Sequence, residues 1–175
     1  MNFGRQFSHP KQPVTGISWI QARNYCEMVG KRLPTESEWE KAARGTDGRR
    51  YPWGNEWPDC NKAVFNGDPG MGCGRGAGPW PVGSKPAGVS PYGVMDMIGN
   101  VSEFVSDTYD PGYYLVSPVQ DPANNGNENE KAFPKDTKVM RGGGWSSPRY
   151  SLRATQRFPV GTDYGAGHVG FRCAR

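Results

Sequence analysis

The sequence predicts an irregular α+β domain, and three observations carry that expectation. Two capping-box patterns open two short helices, several short runs have the apolar and β-branched content of strands, and glycine and proline are dense elsewhere. With 25 Gly and 16 Pro among 175 residues, long helices are excluded. At this length the chain is one domain, 1–175, large enough to bury a core of its own.

Taken in order, Ser18 followed by Gln21 is a capping box and Gly30 a stop, which predicts a helix over 19–29. Its spacing places Ala22, Tyr25, Cys26 and Val29 on one face. Thr35 with Glu38 repeats the signature, and Gly45 ends a second helix carrying Trp39, Ala42 and Ala43 inward. From 51 to 92 the glycine and proline density predicts coil with tight turns, a stretch that needs staples. Segments 101–105, 138–141, 151–157 and 169–174 read as short strands. Between them, 110–136 contains DPANNGNENE and reads as a polar, mobile insertion.

The net charge of +4 comes from 21 basic against 17 acidic residues scattered along the chain. No basic run of the kind found in nucleic-acid-binding arms is present, so a nucleic-acid partner is not expected. No apolar stretch approaches the roughly 18 residues of a membrane span, and the first thirty residues lack the apolar middle of a signal peptide.

Four blocks, NYCEMVGKRLPTESEWEKAARG (24–45), YPWGN (51–55), YGVMDMIGNVSEF (92–104) and VMRGGGWSSPRYSLRATQRF with its closing GHVGFRCAR (139–175), identify a family by content, order and spacing. Over 13–175 the chain resembles the formylglycine-generating-enzyme-like, or sulfatase-modifying-factor, domain. The resemblance implies a C-type-lectin-like fold. Members include copper-dependent oxidases of a cysteine side chain, domains of sulfoxide synthases, and modules that only bind ligands. The variable proteins of diversity-generating retroelements share the fold and carry their varied binding residues in the segment that corresponds to the C-terminal block. The family's domain also has a further N-terminal part with an early Met-Gly motif, so the chain is expected to enter partway through it.

The four cysteines, at 26, 60, 73 and 173, contain no C-x-x-C for zinc. The resemblance implies a Cys26–Cys173 bridge, since those positions are commonly joined in the family, and Cys60 and Cys73 flank the glycine-rich coil. Closing loops of these lengths contributes about 5 and about 3 kcal/mol respectively. The alternative is four buried free thiols in a cytosolic protein. Bridges imply a periplasmic, extracellular or cell-surface location.

In DMIGNVSEF the resemblance implies a structural Ca²⁺ ion held by Asp96, the carbonyls of Gly99 and Val101, and Glu103; oxygen ligands from carboxylates and carbonyls suit a hard cation. The other reading is that Asp96 and Glu103 pair with nearby arginines or cap turns. A second family calcium site aligns at Asn61 and the Lys62 carbonyl, but its required Asp falls in GRGAG (74–78). His9 and His168 are isolated, which argues against a histidine-based metal centre.

In the oxidases a cysteine pair binds copper(I) through soft thiolates. The counterpart positions here are about Ser147 and Leu152, so no copper is expected. Ser147 has no neighbouring histidine in sequence to activate it, and a triad with His168 and Asp163 has little support. The segment instead concentrates Trp145, Ser147, Arg149, Tyr150, Arg153, Arg157 and Tyr164. Arginine and aromatic side chains of this kind recur at binding hot spots. For Arg153 and Arg157 a solvated strand face is an equal alternative, and Trp145 reads more as core than as contact. The expected function is therefore a noncatalytic, calcium-stabilised module that binds a protein, peptide or small-molecule ligand. The rival is an oxidoreductase relative acting on a sulfur-containing or peptide substrate.

Overall fold

The computed structural model describes residues 7–67, 69–126 and 136–175. Helix α1 spans Trp19–Met28; its Ser18 hydroxyl accepts from the Gln21 amide at 3.2 Å and the Gln21 side chain accepts from the Ser18 amide at 2.9 Å. Helix α2 spans Glu36–Arg44 and carries the same reciprocal cap between Thr35 and Glu38. Each cap satisfies two backbone donors that the first turn leaves without helical partners, worth about 1 kcal/mol per cap.

The buried stripe of α1 is Trp19, Ala22 and Cys26. Tyr25 and Val29, expected on the same face, are exposed. At about 100° per residue they lie on the flank of that stripe, where Tyr25 meets the edge of Phe171 at 5.6 Å. In α2 the inward residues are Glu36, Trp39 and Ala43, with Ala42 half-buried.

Four strands follow: β1 Ser102–Thr108, β2 Thr137–Arg141, β3 Phe158–Gly161 and β4 Val169–Phe171. Their order is β3-β2-β1-β4, with β1 parallel to β4 and the other pairings antiparallel. Central β1 is buried on both faces. Phe104 joins Trp19, Ala22, Cys26, Leu33, Val160 and Val169 on the α1 side, while Val105 joins Trp39, Ala43, Phe65, Met97, Val139 and Leu152 on the α2 side. The Trp19 indole donates to the Val105 carbonyl at 2.7 Å, fixing α1 across the strand.

The expected strand over 151–157 is absent: Arg149–Ser151 forms a 3₁₀ turn and β3 begins at Phe158. The alternation that suggested it is real, because Leu152 and Ala154 are buried and Arg153 and Thr155 exposed. However, the Ala154 amide donates to Arg50 in the coil at 2.9 Å and not to a neighbouring strand.

The coil between Tyr51 and Tyr92 is held as expected by staples. Cys60–Cys73 closes it and Cys26–Cys173 ties α1 to the residues after β4, both with Cα separations of 5.5 Å. The described part of the 110–136 insertion is better fixed than its composition suggests. It contains a short helix, α3 (Tyr113–Val116), and Asn124 is pinned to β1 by its amide on Asp107 and its carbonyl on the Thr108 amide. The rest of that segment, 127–135, lies outside the described residues.

Candidate ligand-binding surface and cation site

The turn after β2 sets the C-terminal surface. Gly142 and Gly143 have φ of 87° and 69°, and a Cβ on Gly142 would stand 2.9 Å from the Met97 carbonyl and 3.1 Å from the Trp39 ring. Glycine is required there both for conformation and for approach. Trp145 is then bonded to three other segments: its amide donates to Asn100, its carbonyl accepts from Gly72, and its indole donates to Gly167 at 3.0 Å. It belongs to the framework, as half-buried position and bonding both show.

Ser147 and Leu152, the positions expected to stand where the oxidases carry cysteines, have structural roles here. The Ser147 hydroxyl accepts from the Gly144 amide at 2.9 Å, and Leu152 is fully buried in the core. His168 lies beside Gly144, with burial holding its pKa below the usual imidazole range, and its ring faces Tyr164 edge-on at 6.3 Å. Among the described residues no hydrogen bond joins it to Ser147, so no activated hydroxyl is assembled.

Arg149, Tyr150 and Arg153 project outward from this framework, Tyr150 with 72% of its surface exposed. The Arg149 guanidinium lies 5.7 Å from the Phe65 ring centroid, and Arg153 donates to Gln156 at 3.2 Å. Arg157, expected among the binding residues, turns inward instead. It grips Glu36 with two nitrogens at 2.7 and 2.9 Å and donates to the Asp110 carbonyl at 2.7 Å, between the rings of Tyr109 and Tyr114. The buried Glu36 carboxylate needs that charge, because the fully buried Arg141 shares it.

Asp96, Val101 and Glu103 line one cavity of about 570 Å³ together with Pro13, Tyr25, Phe171 and Arg172. Gly99 fixes the turn behind it: its φ is 78°, and a Cβ would stand 2.5 Å from the Val64 carbonyl. Asp96, itself at a left-handed φ of 56°, accepts from the Gly83 amide at 2.6 Å. Burial pushes its carboxyl above the usual carboxylate range, with Glu103 adding to the rise while the Gly83 amide and Arg172 oppose it. Glu103 accepts from Arg172 through both oxygens at 2.6 Å and from the Trp39 indole at 2.7 Å. The arginine pairing weighed for Glu103 is therefore present.

Two carboxylates share one guanidinium here: Arg172 is bonded to Glu103, and burial works against ionisation of Asp96. The Glu103 oxygens already serve three donors, whereas the Asp96 carboxylate accepts from the Gly83 amide. Arg172 escaped the sequence reading. Its position in GFRC next to a bridged cysteine was the signal, since Cys173 carries it to the mouth of this cavity.

Residues 4–175 match the family described as Sulfatase-modifying factor enzyme 1-like domain. The chain is 36% identical over 168 residues to serine/threonine-protein kinase pkn1 of Chlamydia pneumoniae, covering 95% of this chain and 24% of that protein. It is 36% identical over 181 residues to the formylglycine-generating enzyme of Streptomyces coelicolor, covering 94% of this chain and 53% of the enzyme. The solved structure of Treponema denticola variable protein 1 superposes with a TM-score of 0.68 at 19% identity, over 96% of this chain and 72% of that one, which shows the shared fold. The chain spans only 24% to 56% of the length of curated relatives it matches. By family match and by identity to these relatives, the chain belongs to the sulfatase-modifying factor enzyme 1-like domain family.

Proposed function

We propose that this domain is a noncatalytic ligand-binding or accessory module, with Arg149, Tyr150 and Arg153 as its contact residues. The observation that carries this reading is the fate of the two counterpart positions: Leu152 is sealed in the core and the Ser147 hydroxyl closes a turn, while Arg149, Tyr150 and Arg153 face solvent. Soft-metal oxidation chemistry needs ligands at those positions, whereas recognition needs rigidly held arginines and aromatics.

Calcium enters as part of the same proposal. Asp96, with the carbonyls of Gly99 and Val101, would hold the ion, and Glu103 would face it from its pairing with Arg172; when bound, Ca²⁺ neutralises the charge that burial penalises at Asp96. The two bridges support an oxidising compartment such as the periplasm or the exterior.

The test pairs two measurements on the purified chain. Incubation with copper, oxygen and a sulfatase-type cysteine peptide is expected to yield no formylglycine by mass spectrometry. Screening on a peptide array is expected to yield binders that Arg149→Ala with Tyr150→Ala no longer retains. Copper-dependent turnover, or array binding indifferent to those substitutions, overturns the proposal.

A further inference from the structure

Arginines in this fold divide into two groups. Arg23, Arg32, Arg44, Arg49, Arg141, Arg157 and Arg172 each lie within ion-pair distance of a carboxylate. Arg50, Arg75, Arg149, Arg153 and Arg175 have no such partner among the described residues; Arg75 stacks on Trp80, while the backbones of Arg50, Arg149 and Arg153 meet near one 3₁₀ turn. The Ala154 amide on the Arg50 carbonyl, at 2.9 Å, sets Arg50 beside Arg153. Both charges reach the buried Tyr51 phenol, whose pKa burial raises and these two guanidiniums pull back. Arg149 sits across the adjoining 3₁₀ turn, which the Leu152 amide closes on the Arg149 carbonyl at 3.3 Å.

Three exposed guanidiniums without a carboxylate partner among the described residues add no ion-pair stabilisation to the fold, so their presence is not explained by stability. Its backbone is nevertheless fixed. The Ser151 hydroxyl and amide both donate to Pro148, the Gln156 amide donates to the Arg153 carbonyl, and Leu152 and Ala154 are anchored in the core. A rigid backbone presents Arg149 and Arg153 to solvent on the same short segment as the exposed Tyr150, and Arg50 precedes the stacked pair Tyr51–Trp53 at 5.4 Å. Guanidinium forks match carboxylates in bidentate fashion, and a pre-held set loses little entropy on binding.

We propose that Arg50, Arg149 and Arg153, together with Tyr150, recognise an acidic peptide segment of a partner protein. This inference rests on the ligand-binding reading above and adds to it the charge class of the partner and a third arginine, Arg50, from a distant part of the sequence. Nucleic acid is the less suitable polyanion. Tracking a phosphate backbone takes an extended basic track, and here the charges are few and the net charge of the chain is only +4.

The experiment is fluorescence anisotropy with the full chain and three labelled probes: an alternating Glu/Tyr peptide, its Gln/Tyr counterpart and an oligothymidine. The acidic peptide is expected to bind at least about tenfold more tightly than the Gln peptide, with affinity falling as salt rises. Combined Arg50→Gln, Arg149→Gln and Arg153→Gln is expected to erase that preference with the thermal melt retained, whereas Arg75→Gln, whose guanidinium stacks on Trp80 at 4.5 Å, keeps it. Equal affinity for the two peptides, or tighter binding of the oligonucleotide, overturns the inference. Array binders of neutral sequence that still depend on Arg149 and Tyr150 would overturn it while leaving the ligand-binding function standing. Retained preference in the triple variant would overturn it as well.

Discussion

Arg141 and Glu36 form an ion pair 2.6 Å long in which neither side chain has any solvent exposure. Around it, Glu40 takes the second Arg141 nitrogen and Arg157 closes over both Glu36 oxygens. The pair joins β2 to the first turn of α2, and so locks the helix opened by the Thr35–Glu38 capping box onto the sheet. A buried ion pair of this kind gives specificity more readily than net stability.

Removing one partner should therefore be severe. Arg141→Ala leaves Glu36 with Arg157 alone and Glu40 without its inner partner, and is expected to lower unfolding free energy by about 3–5 kcal/mol. Urea denaturation followed by tryptophan fluorescence measures it; a loss below 1 kcal/mol would mean water reaches this network.

Calcium should raise the melting temperature and a chelator lower it, because the ion offsets the charge that burial penalises at Asp96. Asp96→Asn and Glu103→Ala are expected to abolish that response. Identical melts in calcium and in chelator would show that Arg172 alone balances the carboxylate pair.

The pH dependence follows from the same group. With its folded pKa raised above the ordinary 3.8, Asp96 contributes stability that is fully present below that value and lost as pH rises through the raised folded pKa. In chelator, Asp96→Asn should flatten this decline in a stability-versus-pH series. An unchanged slope would assign the decline to other carboxyls, of which Asp107, also raised chiefly by burial, is the next candidate.

Peptide mapping without reductant should recover Cys26 with Cys173 and Cys60 with Cys73, with no thiol open to alkylation in native protein. Cys26→Ser with Cys173→Ser is expected to cost about 5 kcal/mol, given a sequence separation of 147, against about 3 kcal/mol for the shorter loop of 13. Equal melting of the two bridge variants would contradict the loop-length argument.

Arg149→Ala with Tyr150→Ala should leave stability within about 1 kcal/mol of the parent, as for ordinary surface changes. A thermal melt decides it, and a larger loss would place the Arg149–Phe65 contact in the framework and not at the surface.

Local chemistry was legible in the sequence. Capping boxes at Ser18 and Thr35 announce both main helices, because their signal is complete within four residues. The Cys26–Cys173 bridge followed from family positions, and the Cys60–Cys73 bridge from a coil too rich in glycine to hold itself. What escaped was long-range: Arg157 looks identical to Arg153 in sequence, and only the burial of Glu36, 121 residues away, decides that one faces inward. The false strand over 151–157 has a similar origin. Alternating burial there arises from a coil that dips twice into the core, a pattern that period-two reading cannot separate from a strand.

The segment after the Gly142 turn divides labour by position. Trp145, Ser147, Leu152 and Ala154 are held by hydrogen bonds or by the core, while Arg149, Tyr150 and Arg153 owe little to either. On the proposed ligand-binding reading, specificity would be rewritten at the second set while the first carries the architecture. A library varied at 149, 150 and 153 would search ligand space with most members still folded, which makes this surface an interchangeable head on a permanent shaft.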